Sequence, residues 1–106
     1  MEQKLLNQGQ KAIYIQDHDR LKQLYSETYN LDYQINISNI YLKLFYYACQ
    51  HNRKNTIIFL FKLYFEIFSE TQQIALRQSF YYGKFKIKDK ELINWYSNTI
   101  IPIIRN

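Results

Sequence analysis

A cysteine and a histidine lie close enough in this sequence to be considered as a catalytic nucleophile and the base that activates it. The single cysteine, Cys49, lies two residues before His51, and a thiol activated by an imidazole is one arrangement of a catalytic nucleophile. Side chains two positions apart on a helix, or at its end, point in different directions, so this spacing disfavours the pair. Cys49 also follows Ala48 on an apolar stripe. We therefore expect a small buried hydrophobic residue rather than a reactive thiol.

A second candidate for chemistry is the run Asp17-His18-Asp19, because carboxylate oxygens and imidazole nitrogens bind metal ions. The sequence contains no second cluster of such ligands, and capping and the helix dipole alone favour carboxylates at the start of a helix. We therefore expect no metal and no cofactor. An enzyme with dispersed active-site residues is retained only as a remote alternative.

Residues 84–90 carry the most concentrated charge in a chain whose net charge is +5. If extended, this stretch would place four lysines on one face and Phe85 and Ile87 on the other, a shape suited to nucleic-acid phosphates or to an anionic membrane surface. The alternative is a solvated interhelical loop, which the absence of a recognisable RNA-binding motif favours. With a smaller basic turn, the candidate anion contacts are Arg53, Lys54, Lys84, Lys86, Lys88 and Lys90.

The length and composition of the chain limit the elements that could position these side chains. A length of 106 residues is that of one ordinary domain. Tyrosine (11) and phenylalanine (7) supply much of the hydrophobic content of 47%, which requires a core built from large rings. Two glycines and one proline are too few for a multi-stranded sandwich or for a phosphate-binding glycine loop. The composition therefore predicts an all-α fold.

Helical periodicity and capping residues predict where the first elements begin and end. Asp17 is expected to cap a helix that runs to about Thr28, and a weaker pattern from Lys4 to Ile15 is interrupted by Gly9. Residues 30–36 are polar with two alternating apolar positions, which predicts an extended connection.

The remaining helices have clearer signals. Ser38 is expected to cap one helix, and the nearly all-apolar segment 56–68 should be the central buried helix. This segment is too short for a bilayer span, which needs roughly 20 residues. Ser69 begins a capping box for a helix that should end at a left-handed Gly83. Asp89 should cap the last helix, and Pro102 should end it.

Together these elements predict an all-α fold of five or six short helices, packed as antiparallel hairpins around one aromatic-rich core. We expect a single helical domain over 1–106. Within it, 1–15 is a loosely specified N-terminal segment and 101–106 is an apolar docking tail.

A faint internal repeat relates the last two helical pairs. At an offset of 34 residues, Ile58, Phe59 and Phe61 align with Leu92, Ile93 and Trp95, and Asn55 aligns with Asp89. Between Tyr41 and Ile100 this spacing resembles that of ankyrin-type repeats, whose helical hairpins stack to bury their apolar faces. The T-P-L-H turn of that family is absent from the sequence. The resemblance implies a binding scaffold without catalytic chemistry.

The aromatic side chains are too numerous to face one small core, so some must lie where a partner could cover them. The expected contacts, including the docking tail, are Tyr46, Tyr82, Trp95, Tyr96, Ile101, Ile103 and Ile104. These features favour a non-catalytic subunit or protein-interaction module whose partners are other protein subunits. The alternative, from the basic balance, is an RNA-contacting protein.

The composition also bears on where the protein works. A single cysteine disfavours a disulfide-stapled secreted scaffold and favours an intracellular location. Isoleucine, lysine, asparagine, tyrosine and phenylalanine account for 52 of the 106 residues, the bias expected of AT-rich coding DNA. We therefore expect an intracellular protein and keep two origins open, organellar (mitochondrial) and viral.

Overall fold

The structure is a computed structural model that describes residues 2–30 and 36–105. The described residues form six α-helices and no strand. The helices are α1 (Glu2–Tyr14), α2 (His18–Asn30), α3 (Ile37–Gln50), α4 (Lys54–Ile67), α5 (Glu70–Lys86) and α6 (Lys90–Arg105). The prediction of an all-α fold with five or six helices is confirmed. The extended connection predicted after α2 falls largely on 31–35, which lie outside the described residues.

The helices pair into three consecutive hairpins, α1–α2, α3–α4 and α5–α6. The first helices of the hairpins form one closely packed row, with α1 against α3 and α3 against α5. The second helices form another row, in which α2 packs against α4 but α4 and α6 approach each other little. The domain has a radius of gyration of 13.2 Å, and its second row is open between α4 and α6.

Two glycines allow the first row to pack closely. A Cβ atom at Gly83 of α5 would lie 2.9 Å from the Phe45 ring of α3 and 2.8 Å from the Tyr96 hydroxyl of α6. A Cβ atom at Gly9 of α1 would lie 2.5 Å from Leu44 of α3. All three separations are well below ordinary van der Waals contact distances. The glycines therefore let α1, α3 and α5 approach closely, whereas neither α4 nor α6 contains a glycine.

The core is a cluster of rings around Phe80. Its ring centroid lies 5.1 Å from that of Phe45, 5.1 Å from that of Phe61 and 4.7 Å from that of Tyr64, and each pair meets edge to face. This geometry is the favourable one for aromatic quadrupoles. Since these four rings come from α3, α4 and α5, the cluster fixes the positions of the last two hairpins.

Two buried phenol hydroxyls in the core donate to helix carbonyl groups. Tyr41 of α3 donates to the Leu60 carbonyl of α4, and Tyr96 of α6 donates to the Phe80 carbonyl of α5. A buried hydroxyl without a partner would be costly. Each of these tyrosines therefore joins two helices through a polar contact as well as through its ring.

Local capping signals correctly located three helix starts. The Ser69 hydroxyl accepts from the Gln72 N–H, and the Gln72 side chain accepts from the Ser69 N–H, completing the predicted capping box. Asp89 accepts from the Leu92 N–H at 2.9 Å, and Asp17 accepts from the N–H three residues later at 3.1 Å. These predictions held because each cap depends only on residues within one turn.

Three predicted helix ends were wrong. The N-cap of α3 is Asn36 rather than Ser38, since the Asn36 side chain accepts from the Asn39 N–H. Gly83 is helical rather than left-handed, and α5 continues to Lys86.

The third error concerns Pro102, which lies inside α6. Proline removes one helix hydrogen bond, but Ile101 and Ile104 on either side of it are buried. The free energy gained by burying these two side chains offsets the loss of the backbone hydrogen bond. Residues 101–105 therefore continue α6 instead of forming a separate tail. At the other end of the chain, where the sequence specified little, residues 2–14 form α1 and bury Leu6 and Ile13 against the core.

Candidate functional site

The space between α4 and α6 is an apolar groove of about 270 Å³. We call it the α4–α6 groove. It is open to solvent on one side and lies next to the buried ring cluster, because Phe61 belongs to both. Its lining residues are Ile58, Phe61, Lys62, Phe65, Trp95, Thr99, Ile100 and Ile103.

The walls of the groove follow from helical spacing in the two helices. On α4, Ile58, Phe61 and Phe65 recur at i, i+3 and i+7, which places them on one face. On α6, Trp95 and Ile103 are separated by eight residues, or about two turns. The opposite side of α4 faces the core. The segment was expected to be the central buried helix, but Phe65 is 48% exposed, because α6 does not close over it.

A second depression of about 190 Å³ adjoins the groove where α4, α5 and α6 meet. Phe65 and Ile103 border both depressions, and Ile74 of α5 borders the second. These three side chains come from three helices and are exposed by 48%, 50% and 62%. Most large apolar side chains in the described residues are buried. Phe65, Ile74 and Ile103 therefore form an exposed apolar patch, beside the polar side chains of Glu70, Gln73 and Arg77 in the second depression. Sequence reasoning missed this patch at Phe65 and Ile74.

Two of the predicted partner contacts line the α4–α6 groove. Trp95 is half-buried at one end of it, where the Lys54 ammonium group lies 5.0 Å from the ring centroid. Ile103 is exposed near the other end. The other two accessible predicted contacts lie elsewhere: Tyr82 is exposed on α5, and half-buried Tyr46 donates to the Ser79 carbonyl.

The structure places three other predicted contacts in the core. Tyr96 is fully buried, and burial together with nearby ionisable groups raises the pKa of its phenol well above the ordinary value. Ile101 and Ile104 are buried on the inner side of α6. Contrary to the prediction, none of the three presents a free surface to a partner. For Ile101 and Ile104 the reason is that α6 continues through Pro102, which turns these positions towards the other helices. Tyr96 lies on the same buried face of α6 as Leu92 and Ile100.

The extended basic face considered for residues 84–90 does not form, and the alternative of an interhelical connection holds for residues 87–89 only. Lys84 and Lys86 lie in the last turn of α5, where positions two apart point to different sides of the helix. Only residues 87–89 separate α5 from α6. The Asn52 side chain, in the turn between α3 and α4, accepts from the N–H groups of Lys88 and Asp89 at 3.3 and 3.2 Å. The connection is therefore a short fixed turn, with Lys90 beginning α6.

Three basic side chains that were expected to contact anions lie against aromatic rings, Lys54 against Trp95 among them. The Lys86 ammonium group lies 5.9 Å from the Tyr46 ring centroid, and the Arg53 guanidinium lies 5.3 Å from that of Tyr14. Contacts of this geometry are cation–π interactions. These cations therefore already have partners on the protein surface.

The residues considered for catalysis do not form a catalytic arrangement. Cys49 is buried, and burial raises the pKa of its thiol to about 12, whereas exposed His51 lies against the Tyr47 ring. His18 shares a hydrogen bond of 3.0 Å with Thr56 and joins α2 to α4. Among the described residues, no group of three or more histidine, cysteine or carboxylate side chains could hold a metal ion.

Comparisons with protein-family models, with curated proteins and with solved structures find no match to this chain. Within the described ranges, no helix has both the length and the apolar character needed to span a bilayer.

Proposed function

We propose that this protein is a non-catalytic interaction module, a subunit of a larger assembly, that binds a partner protein through the α4–α6 groove. The observation that carries the proposal is the convergence of Phe65, Ile74 and Ile103 where the apolar α4–α6 groove meets a second, partly polar depression. Exposed apolar patches that combine side chains from several elements are typical of interaction sites. Trp95 at one end adds the residue type most enriched among binding hot spots.

Covering the exposed apolar area of the groove would contribute favourable free energy to the association with a partner. Complete burial of a large apolar side chain is worth roughly 1.5–3 kcal/mol, and Phe65, Ile74 and Ile103 each retain about half of their area or more in solvent. Covering all three would contribute roughly 2–5 kcal/mol. That is enough to anchor an interface whose rim is polar.

The test compares two variants that introduce the same charge at two exposed apolar positions. Ile103→Asp places a carboxylate in the groove, and Phe85→Asp places one on α5, away from the groove, at a side chain that is 79% exposed. Each variant is purified from the native source, and the mass of its complex is measured at low and high salt, with and without nuclease.

We expect the wild type and Phe85→Asp to retain a large protein complex through salt and nuclease, and Ile103→Asp to lose it. A complex that survives Ile103→Asp would overturn the proposal. So would a complex that depends on Phe85 instead.

A second candidate function, contact with RNA, is favoured by the outer side of α5. Tyr82 and Phe85 are exposed there, and α5 carries Arg77, Lys84 and Lys86 with its only acidic residue in the first turn. Exposed rings beside cations can stack on bases. The same purification tests this candidate, since an RNA-dependent complex would dissolve with nuclease and weaken steeply with salt.

Two further expectations remain proposals. Stacked helical hairpins are an architecture that interaction scaffolds use, so we keep descent from ankyrin-type repeats as a hypothesis. The AT-rich residue bias and the single cysteine support an intracellular assembly of organellar or viral origin. Identification of the co-purified subunits tests the second hypothesis.

A further inference from the structure

The shape of the α4–α6 groove selects the kind of segment that fits it. Its walls extend from Ile58 to Phe65 on α4 and from Trp95 to Ile103 on α6, or roughly 11–12 Å at the helical rise. That length matches two turns of a helix lying between them. A helix-in-groove complex places anchors at i, i+3 or i+4, and i+7, which is the spacing that two such turns provide.

The charge of the groove indicates which side chains should flank the apolar stripe of the bound segment. Lys62 is the only charged side chain that lines the groove, and it forms no ion pair within the described part of the chain. The neighbouring carboxylate on α4, Glu66, lies 3.8 Å from the Lys22 ammonium group of α2 instead. At the Trp95 end, Lys54 lies over the Trp95 ring and shares a small depression with Asp89 and Glu91, so among the described residues Lys62 is the cation that the groove leaves without a partner.

The acidic residues near the two ends of the groove have local roles. Asp89 caps α6, and Glu91 and Glu70 lie in the first turns of α6 and α5, where the helix dipole favours a negative charge. Arg77 accompanies Glu70 at the far end. The centre of the groove therefore keeps an unpaired positive charge beside an apolar floor.

Two other occupants fit these observations less well. A second copy seated on this face would carry the same net charge of +5 and would bring Lys62 towards its own counterpart, which is unfavourable. A flat anionic membrane would contact protruding side chains, whereas this surface is concave. From shape and charge together, we infer that the α4–α6 groove binds one amphipathic α-helix of a partner protein, with acidic side chains flanking its apolar stripe. This inference rests on the proposed function.

The experiment uses two designed helical peptides and the intrinsic fluorescence of the protein. Both peptides have the same leucine and phenylalanine stripe over roughly four turns; one has glutamate flanks and the other lysine flanks. Trp95 is the only tryptophan in the chain and lines the groove, so its emission reports occupancy. Titrations are made with the wild type, with Lys62→Glu and with Lys43→Glu, which makes the same charge change on α3.

We expect the glutamate peptide to shift Trp95 emission to the blue and to bind about five- to tenfold more tightly than the lysine peptide, as one or two partly exposed ion pairs allow. Lys62→Glu should reverse this preference, and Lys43→Glu should preserve it. Equal affinities, or no shift with either peptide, would overturn the inference.

The other occupants are tested with the same signal. A blue shift produced by anionic phosphatidylserine vesicles but not by the glutamate peptide would assign the groove to a membrane. A shift that follows the concentration of the protein alone would assign it to a second copy. Either result overturns the inference. The proposed function is tested separately by Ile103→Asp: a complex lost in that variant, with peptides that are not discriminated, would uphold the function and remove only the acidic helix.

Discussion

Substitution by aspartate at two adjacent isoleucines separates the groove from the core. Ile103 is 50% exposed in the groove, and Ile104 is 5% exposed on the inner side of the same helical turn. Both positions lie in the last turn of α6, so the repulsion between a new carboxylate and the helix C-terminus is similar for the two variants. The difference in stability between Ile103→Asp and Ile104→Asp therefore measures burial.

The magnitude follows from the two exposures. Ile104→Asp removes an almost completely buried side chain, worth roughly 1.5–3 kcal/mol, and it must also expose the new carboxylate by opening the last turn. We expect the free energy of unfolding to fall by about 2–4 kcal/mol. Ile103→Asp leaves its carboxylate in solvent and should cost less than about 1 kcal/mol. The predicted gap is therefore at least about 1 kcal/mol and at most about 4 kcal/mol.

Urea denaturation followed by far-ultraviolet circular dichroism measures this gap, with the wild type as reference. Equal losses of stability in the two variants would contradict the helical register of α6 beyond Pro102. A larger loss for Ile103→Asp would show that residue 103, rather than 104, packs in the core. Ile103 would then not be available as a lining residue of the α4–α6 groove.

Three further predictions concern the packing of the core. Gly83→Ala should lower the free energy of unfolding by about 1 kcal/mol, because overpacking against Phe45 and Tyr96 exceeds the gain in helix propensity. Urea denaturation measures this change, and a gain in stability would refute the close approach of α3 and α5. Cys49, with a thiol pKa raised to about 12 by burial, should react with iodoacetamide only after the protein is unfolded, and rapid labelling of the native protein would contradict its burial. Burial also raises the phenol pKa of Tyr25 and Tyr96 in the folded state, so stability should be fully present below the unfolded pKa of about 10 and should be lost as pH rises above it. Phenolate absorbance would then show that Tyr25 and Tyr96 ionise only when the protein unfolds. Ionisation of either tyrosine in a protein that stays folded would contradict the prediction.

The elements that the sequence predicted well are those whose signals are local. The box formed by Ser69 and Gln72 and the cap formed by Asp89 lie within one turn of the backbone groups that they satisfy. Such contacts form whatever the rest of the chain does. Gly83 misled the prediction because a glycine late in a helix is also consistent with close packing between helices, and only the neighbouring Phe45 and Tyr96 decide between the two.

The candidate site was harder to predict because it depends on how far apart two helices lie. The pattern of α4, apolar nearly all round, is the same for a helix buried on every side and for one that faces a core and an open groove. The exposure of Phe65 was therefore not visible in the sequence. The burial of Tyr96 was visible, since this residue lies four positions from both Leu92 and Ile100, which are also buried.

The most direct test of the central proposal is crosslinking from the groove in the native source. A photoreactive phenylalanine analogue replaces either Phe65, in the α4–α6 groove, or Ile15, which is 59% exposed after the end of α1. If the groove binds a partner protein, irradiation should join the protein to a second chain from position 65 and not from position 15. Crosslinking from position 15 alone, or equally from both positions, would contradict the proposal.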